Sequence, residues 1–172
     1  MVGYFRAGKK KVKQQPATVL DIARGQIGKQ EVPKGSNWGP SVKKYLKSVG
    51  IAFAAFWCMA FVYWCISQYC QQQGIKNPLY KTGSVREQWQ HCKFMRVNLQ
   101  TDSPHPGDIF IIMRKDGSNH CGFVEYVKED RIYTIEGNSN EDGSNDGYEV
   151  CRKPGGRLIS TITGFIRPIF KE

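Results

Sequence analysis

Apolar residues recur at spacings of three and four in the first half of the chain and at spacings of two in the second. From Thr18, "TVLDIARGQIG" puts Val19, Ile22 and Ile27 on one helical face, with Thr18 as N-cap and Gly28 as the stop. "KGSNWGP" reads as a loop, and "SVKKYLKSVG" as a short amphipathic helix capped by Ser41 and ended by Gly50. Residues 57–73 form the longest predicted helix: Phe61, Val62, Cys65, Ile66 and Tyr69 make its apolar stripe, and Gly74 follows its last turn. Residues 75–105 are mixed, with "SVREQWQHC" the clearest helical piece. After Pro106 the runs "GDIFIIM", "HCGFVEYV", "RIYTIEGN", "GYEVCRK" and "LISTITGFIRPIF" are strand-like. "RKDGSN" and "KED" connect hairpins. Helices followed by an antiparallel meander predict an α+β fold, with N-terminal helices packed on a C-terminal sheet. No internal repeat interrupts this order.

A 40% hydrophobic content with 12% aromatics suffices for one packed domain, expected over residues 17–172, behind a flexible basic arm at 1–16. The net charge of +10 is concentrated early, since residues 1–50 hold eleven basic side chains and two acidic ones. Such a bias suits an anionic envelope, a membrane surface or nucleic acid, and equally a solubilising tail. No recognisable nucleic-acid-binding motif accompanies it, so nucleic acid is not expected. No run is long and apolar enough to span a membrane, and the N-terminal residues lack the apolar core of a secretory signal. The protein is therefore expected to be made in the bacterial cytoplasm and to be a monomer.

The six cysteines read as thiols rather than a disulfide framework. No CxxC pair supports a zinc site, and no cofactor is expected. "NSNEDGSNDGYE" approaches a calcium-loop pattern, with Asn138, Asn140, Asp142, Gly143 and Glu149 in register. It lacks the leading Asp and joins two strands, so it reads as a polar hairpin loop and no metal is expected.

A cysteine attacks as a thiolate, and the unpaired N–H groups of a helix N-terminus favour that anion. Cys58 opens the 57–73 helix, whereas Cys65 and Cys70 lie deeper along it. Position makes Cys58 the best nucleophile candidate of the six, although a cysteine between Trp57 and Met59 is also a common core residue. A general base is needed as well. Strand alternation puts His120, Gly122 and Val124 on one face, and Cys121, Phe123 and Glu125 on the other. Gly122 is expected to leave open space beside His120, and Cys121 to point away. The next strand carries Ile132, Thr134, Glu136 and Asn138 on one face, so a carboxylate or an amide stands ready to orient the imidazole.

"FWCMAFVYWC", "GDIFIIM" with "NHCGFVEYV", and "YTIEGNSN", in that order, resemble the CHAP family of cysteine- and histidine-dependent amidohydrolases and peptidases. The upstream "ARGQIGKQEVPKGSNWGPSVKKYLKSVG" resembles the lead-in of one branch, and the likeness covers roughly residues 18–168. It implies a papain-like α+β fold and cleavage of an amide bond in peptidoglycan, by an N-acetylmuramoyl-L-alanine amidase or an endopeptidase. Carried over by motif, Cys58 is the nucleophile, His120 the base and Glu136 the orienter, with Asn138 completing or assisting the site. Met59 stands where the family more often has a small residue. The implied setting is a phage lysin freed by a membrane pore, or a secreted effector, acting at the wall. The contrasting expectation is an inactive envelope-binding module on the same fold.

Overall fold

The computed structural model describes residues 18–141 and 147–171. The expected basic arm at 1–16 lies outside the described residues, as do Asp142 and Gly143 of the calcium-like loop.

The first helix, α1 (Val19–Arg24), starts where Thr18 predicts. Thr18 Oγ1 accepts from the Asp21 N–H and the Asp21 carboxylate accepts from the Thr18 N–H, a reciprocal cap. The helix ends at Gly25, not Gly28. The chain leaves it to run beside a strand: Gly28 donates to Val150 O, Val150 to Lys29 O, and Glu31 to Tyr148 O. Sheet pairing therefore overrides the helical spacing of Ile27. In α2 (Pro40–Ser48), Pro40 at the first helical position and Gly39 before it set the start, in place of the expected Ser41 cap. A β-carbon at Gly39 would lie 2.7 Å from the Val32 nitrogen, so only glycine fits.

Helix α3 (Cys58–Gln73) matches its sequence expectation to within one residue, and Gly74 closes it in the left-handed conformation. Helix α4 (Val85–His91) begins at the Ser84 cap. A short 3-10 turn at Lys93–Met95 leads on towards the sheet.

Six strands follow: β1 (Ile109–Ile112), β2 (His120–Lys128), β3 (Arg131–Ser139), β4 (Glu149–Arg152), β5 (Arg157–Leu158) and β6 (Gly164–Ile166). The antiparallel order is β4-β3-β2-β1-β6, and β5 pairs with the start of β3. The final run "LISTITGFIRPIF" is thus two short strands, not one. After β5 a 3-10 turn at Ile159–Thr161 carries the chain from the edge of β3 to β1, where Thr163 N–H meets Ile111 O.

Alternation splits the core between the two faces of the sheet. On one face Phe61, Cys65 and Ile66 of α3 meet Phe123, Ile135 and Ile109. On the other, Phe110, Val124, Ile132 and Phe165 pack together. Gly137 lets α3 come close, because a β-carbon there would lie 2.7 Å from the Phe61 ring.

Candidate active site

The first turn of α3 lands on the first residues of β2. Met59 Sδ lies 3.8 Å from Cys121 Sγ, and Cys58 hydrogen-bonds both to His120 and to Cys121. The Trp57 side chain makes no capping bond to α3, so the first-turn N–H groups stay available. The structure therefore brings Cys58, His120 and Glu136 together, as the motifs imply.

Glu136 is the hub. Its Oε2 takes His120 Nε2 at 2.7 Å and Ser139 Oγ at 3.1 Å; its Oε1 takes Thr134 Oγ1 at 2.6 Å. Arg157 adds two bonds, Nε to Oε1 at 2.6 Å and Nη2 to Oε2 at 2.7 Å. With Nε2 committed to Glu136, Nδ1 is the ring nitrogen left to face Cys58. The ring is further held against Phe110, with centroids 5.9 Å apart.

Gly122 explains how Glu136 crosses to His120. A β-carbon there would lie 2.8 Å from both Ile135 O and the Phe110 ring, and 3.0 Å from Glu136 Cγ. The space expected to be open beside His120 is filled by Phe110 and by the Glu136 side chain itself.

Asn138 is placed differently from its expected role. The pairing of β3 with β4 shifts register between Glu136 and Ser139, and Asn138 has a positive φ of 51°. Strict alternation ends at Glu136, so Ser139 donates to the carboxylate in its stead. The Asn138 side chain bonds neither His120 nor Glu136, and its buried Oδ1 has no partner among the described residues.

The electrostatics single out one thiol. The hydrogen bond from Cys121 is the largest influence on Cys58; with the His120 bond and charge and the Cys121 backbone N–H, it outweighs burial and holds the Cys58 thiol well below its ordinary range. Burial raises the other five: Cys65, Cys70, Cys92, Cys121 and Cys151. Burial alone would lower His120, yet its bonds to Cys58 and Glu136 and their charges raise it to about 9. Burial would likewise raise Glu136, but Arg157 and His120 hold it well below the usual carboxylate range. These shifts all favour a thiolate–imidazolium pair on an ionised carboxylate.

The other histidines lie elsewhere. His91 stacks on Tyr80 with centroids 3.7 Å apart, and His105 sits 3.6 Å from Asp102 at the surface. Sequence reasoning missed Cys121 and Arg157 as parts of the site. Cys121, expected to point away, instead meets the Cys58 thiol, because the head of α3 packs on the face of β2 opposite His120; Arg157 reaches Glu136 because β5 pairs with β3, and nothing local signals that pairing. Among the described residues no group of His, Cys, Asp and Glu is arranged to hold a metal ion. Glu149, at the end of the calcium-like pattern, accepts from Gln30.

The family model of the CHAP domain matches residues 50–138, more than half of the 172-residue chain. The chain belongs to the CHAP family. The CHAP fold is papain-like, and the family comprises cysteine- and histidine-dependent amidohydrolases and peptidases of peptidoglycan. The match covers Cys58, His120, Glu136 and Asn138 and stops short of Arg157. Comparison with curated proteins gave no match, and neither did comparison with solved structures.

Proposed function

We propose that this CHAP domain is an active cysteine hydrolase that cuts an amide bond in the peptide part of peptidoglycan. The observation that carries the reading is the chain of contacts from Cys58 through His120 to Glu136, on the one cysteine of six whose thiol is shifted downward. His120 Nδ1 holds the proton released by Cys58. The thiolate attacks the amide carbonyl, and the Cys58 backbone N–H at the head of α3 stabilises the oxyanion. His120 then protonates the departing amine as the C–N bond breaks, leaving a thioester on Cys58. A water gives its proton to His120, attacks the thioester carbonyl and releases the carboxylic acid, and the thiolate–imidazolium pair returns.

Glu136 fixes the ring and compensates the imidazolium, and Arg157 prevents that carboxylate from standing as a buried, half-paired charge. No described helix is long and apolar enough to cross a membrane. The basic residues of α1, α2 and their loops suit approach to an anionic envelope. A lysin released through a membrane pore, or an effector carried by a secretion machine, fits both features.

The test is digestion of purified peptidoglycan. New amine termini should appear with the wild-type chain and vanish with Cys58→Ala, and mass spectrometry of the fragments distinguishes an amidase from an endopeptidase. Full activity in Cys58→Ala would overturn the assignment.

A further inference from the structure

Four carboxylates are buried among the described residues: Glu31, Asp108, Glu125 and Glu136. Three have cationic partners. Asp108 is held by Arg167, Glu125 by Arg24 and Arg152, and Glu136 by Arg157 and His120. Glu31 is 4% exposed and makes no ion pair among the described residues. Its two oxygens accept only from neutral donors, the Trp57 indole N–H at 2.8 Å and the Asn37 backbone N–H at 3.0 Å. Lys34, three residues further along, lies over the Tyr148 ring at 3.8 Å. A buried carboxylate without a counter-charge is costly unless something supplies one.

Glu31 borders a cleft of about 280 Å³, whose lining includes Asn37, Phe56 and Asn138. Asn138 lines the same cleft. Asn138 is 5% exposed, and its Oδ1 has no hydrogen-bond partner among the described residues. Phe56, 67% exposed, forms an apolar wall. The cleft is directly next to the reactive centre in the chain: Phe56 and Trp57 precede Cys58, and Asn138 follows Glu136 by two residues.

We propose that this cleft is a subsite for a positively charged amine of the peptide substrate, with Glu31 as counter-ion, Asn138 Oδ1 as a further acceptor and Phe56 as an apolar wall. The inference rests on the reading of the chain as a wall-peptide hydrolase. An ammonium group brings three donors and needs a few acceptors at separate angles. A calcium ion needs six to eight oxygens, and the two side chains supply too few. The subsite selects substrates carrying a free amine on the wall peptide.

The experiment separates this subsite from turnover. Cys58→Ala protein is titrated, followed by protein NMR, with the tripeptide L-Ala-γ-D-Glu-L-Lys and with the same peptide acetylated on both amines. The free-amine form should bind at least about tenfold more tightly. Glu31→Gln in the same background should bring the ratio close to one, and Asn138→Asp, which adds a charge, should raise it. Equal binding of the two peptides by the Cys58→Ala protein overturns the proposal. So does a ratio that survives Glu31→Gln, or millimolar calcium chloride saturating the cleft and displacing the peptide. Amine release from peptidoglycan by the wild-type chain is measured alongside. Release with a ratio of one defeats the subsite alone; an amine preference without release defeats the hydrolase reading and leaves the subsite standing.

Discussion

Arg157 grips Glu136 through two hydrogen bonds of 2.6 and 2.7 Å, on the same carboxylate that receives the His120 ring. The site is therefore a row of alternating charges, Cys58 thiolate, His120 imidazolium, Glu136 carboxylate and Arg157 guanidinium. Removing the last member unbalances the rest. Arg157→Ala should cost about 3 kcal/mol of folding stability, because Glu136 is fully buried and keeps only one cation. It should also move the basic limb of activity above its wild-type position, since an uncompensated Glu136 holds the His120 proton more firmly. Arg157→Lys should restore much of the limb and less of the stability. Chemical denaturation and the pH dependence of kcat/KM check the two effects separately.

The pH profile follows from His120 and Cys58 together. Raised to about 9, His120 keeps its proton through neutral pH and loses it as pH rises past that value. Hydrolysis should fall there, because no proton remains for the leaving amine. Alkylation of Cys58 by iodoacetamide should not fall with it, because the thiolate persists. At neutral pH, mass mapping should find Cys58 alkylated well ahead of the other five cysteines. Stability behaves differently. Between about 6.5 and about 9, folded His120 holds a proton that the unfolded chain has lost. Folded Cys58 lacks one that the unfolded thiol retains below 9.0. The two linkages oppose each other, so this pair should add less slope to stability across that window than His120 alone would, as denaturant midpoints measured through it will show.

Cys121→Ala tests the strongest single influence on the nucleophile. Burial keeps the Cys121 thiol protonated, so it serves Cys58 as a donor. Its loss should move the acid limb of Cys58 alkylation upward, with a stability cost of about 1 kcal/mol for the lost sulfur. An unmoved limb would show that His120 and the backbone suffice.

Gly122→Ala puts a methyl group where Ile135 O and the Phe110 ring lie 2.8 Å away. One of those contacts is backbone and cannot swing aside, so the change should cost about 1–3 kcal/mol. Because the methyl also presses on Glu136 Cγ, kcat/KM should drop by more than the loss of folded protein explains. Activity normalised to the folded fraction checks this.

Much of this was legible in the chain. The stripe from Phe61 to Tyr69 and the terminating Gly74 placed α3, and α3 placed Cys58 at its head. Alternation gave His120 and Glu136 their common side, because Val124 pairs with Thr134 and the register shift after Val124 falls on the far side of that pair from both residues. It failed at Asn138, where a positive φ and a register shift break the period of two. The "LISTITGFIRPIF" run hid a break because its apolar residues serve two strands on different neighbours, β3 and β1. Ile27 kept helical spacing while Gly28 and Lys29 were drawn to Val150. Arg157 and Glu31 were invisible for one reason: each acquires its meaning from a partner far away in sequence.

Strand β5 is two residues long, and one of them is Arg157. It lies beyond residue 138, where the family match stops. A chimera or minimal domain cut at that border would inherit Cys58, His120 and Glu136 and leave behind the ion that balances them. For anyone transplanting this domain, the smallest portable piece is set by the sheet's outer edge and not by the length of the recognisable motif.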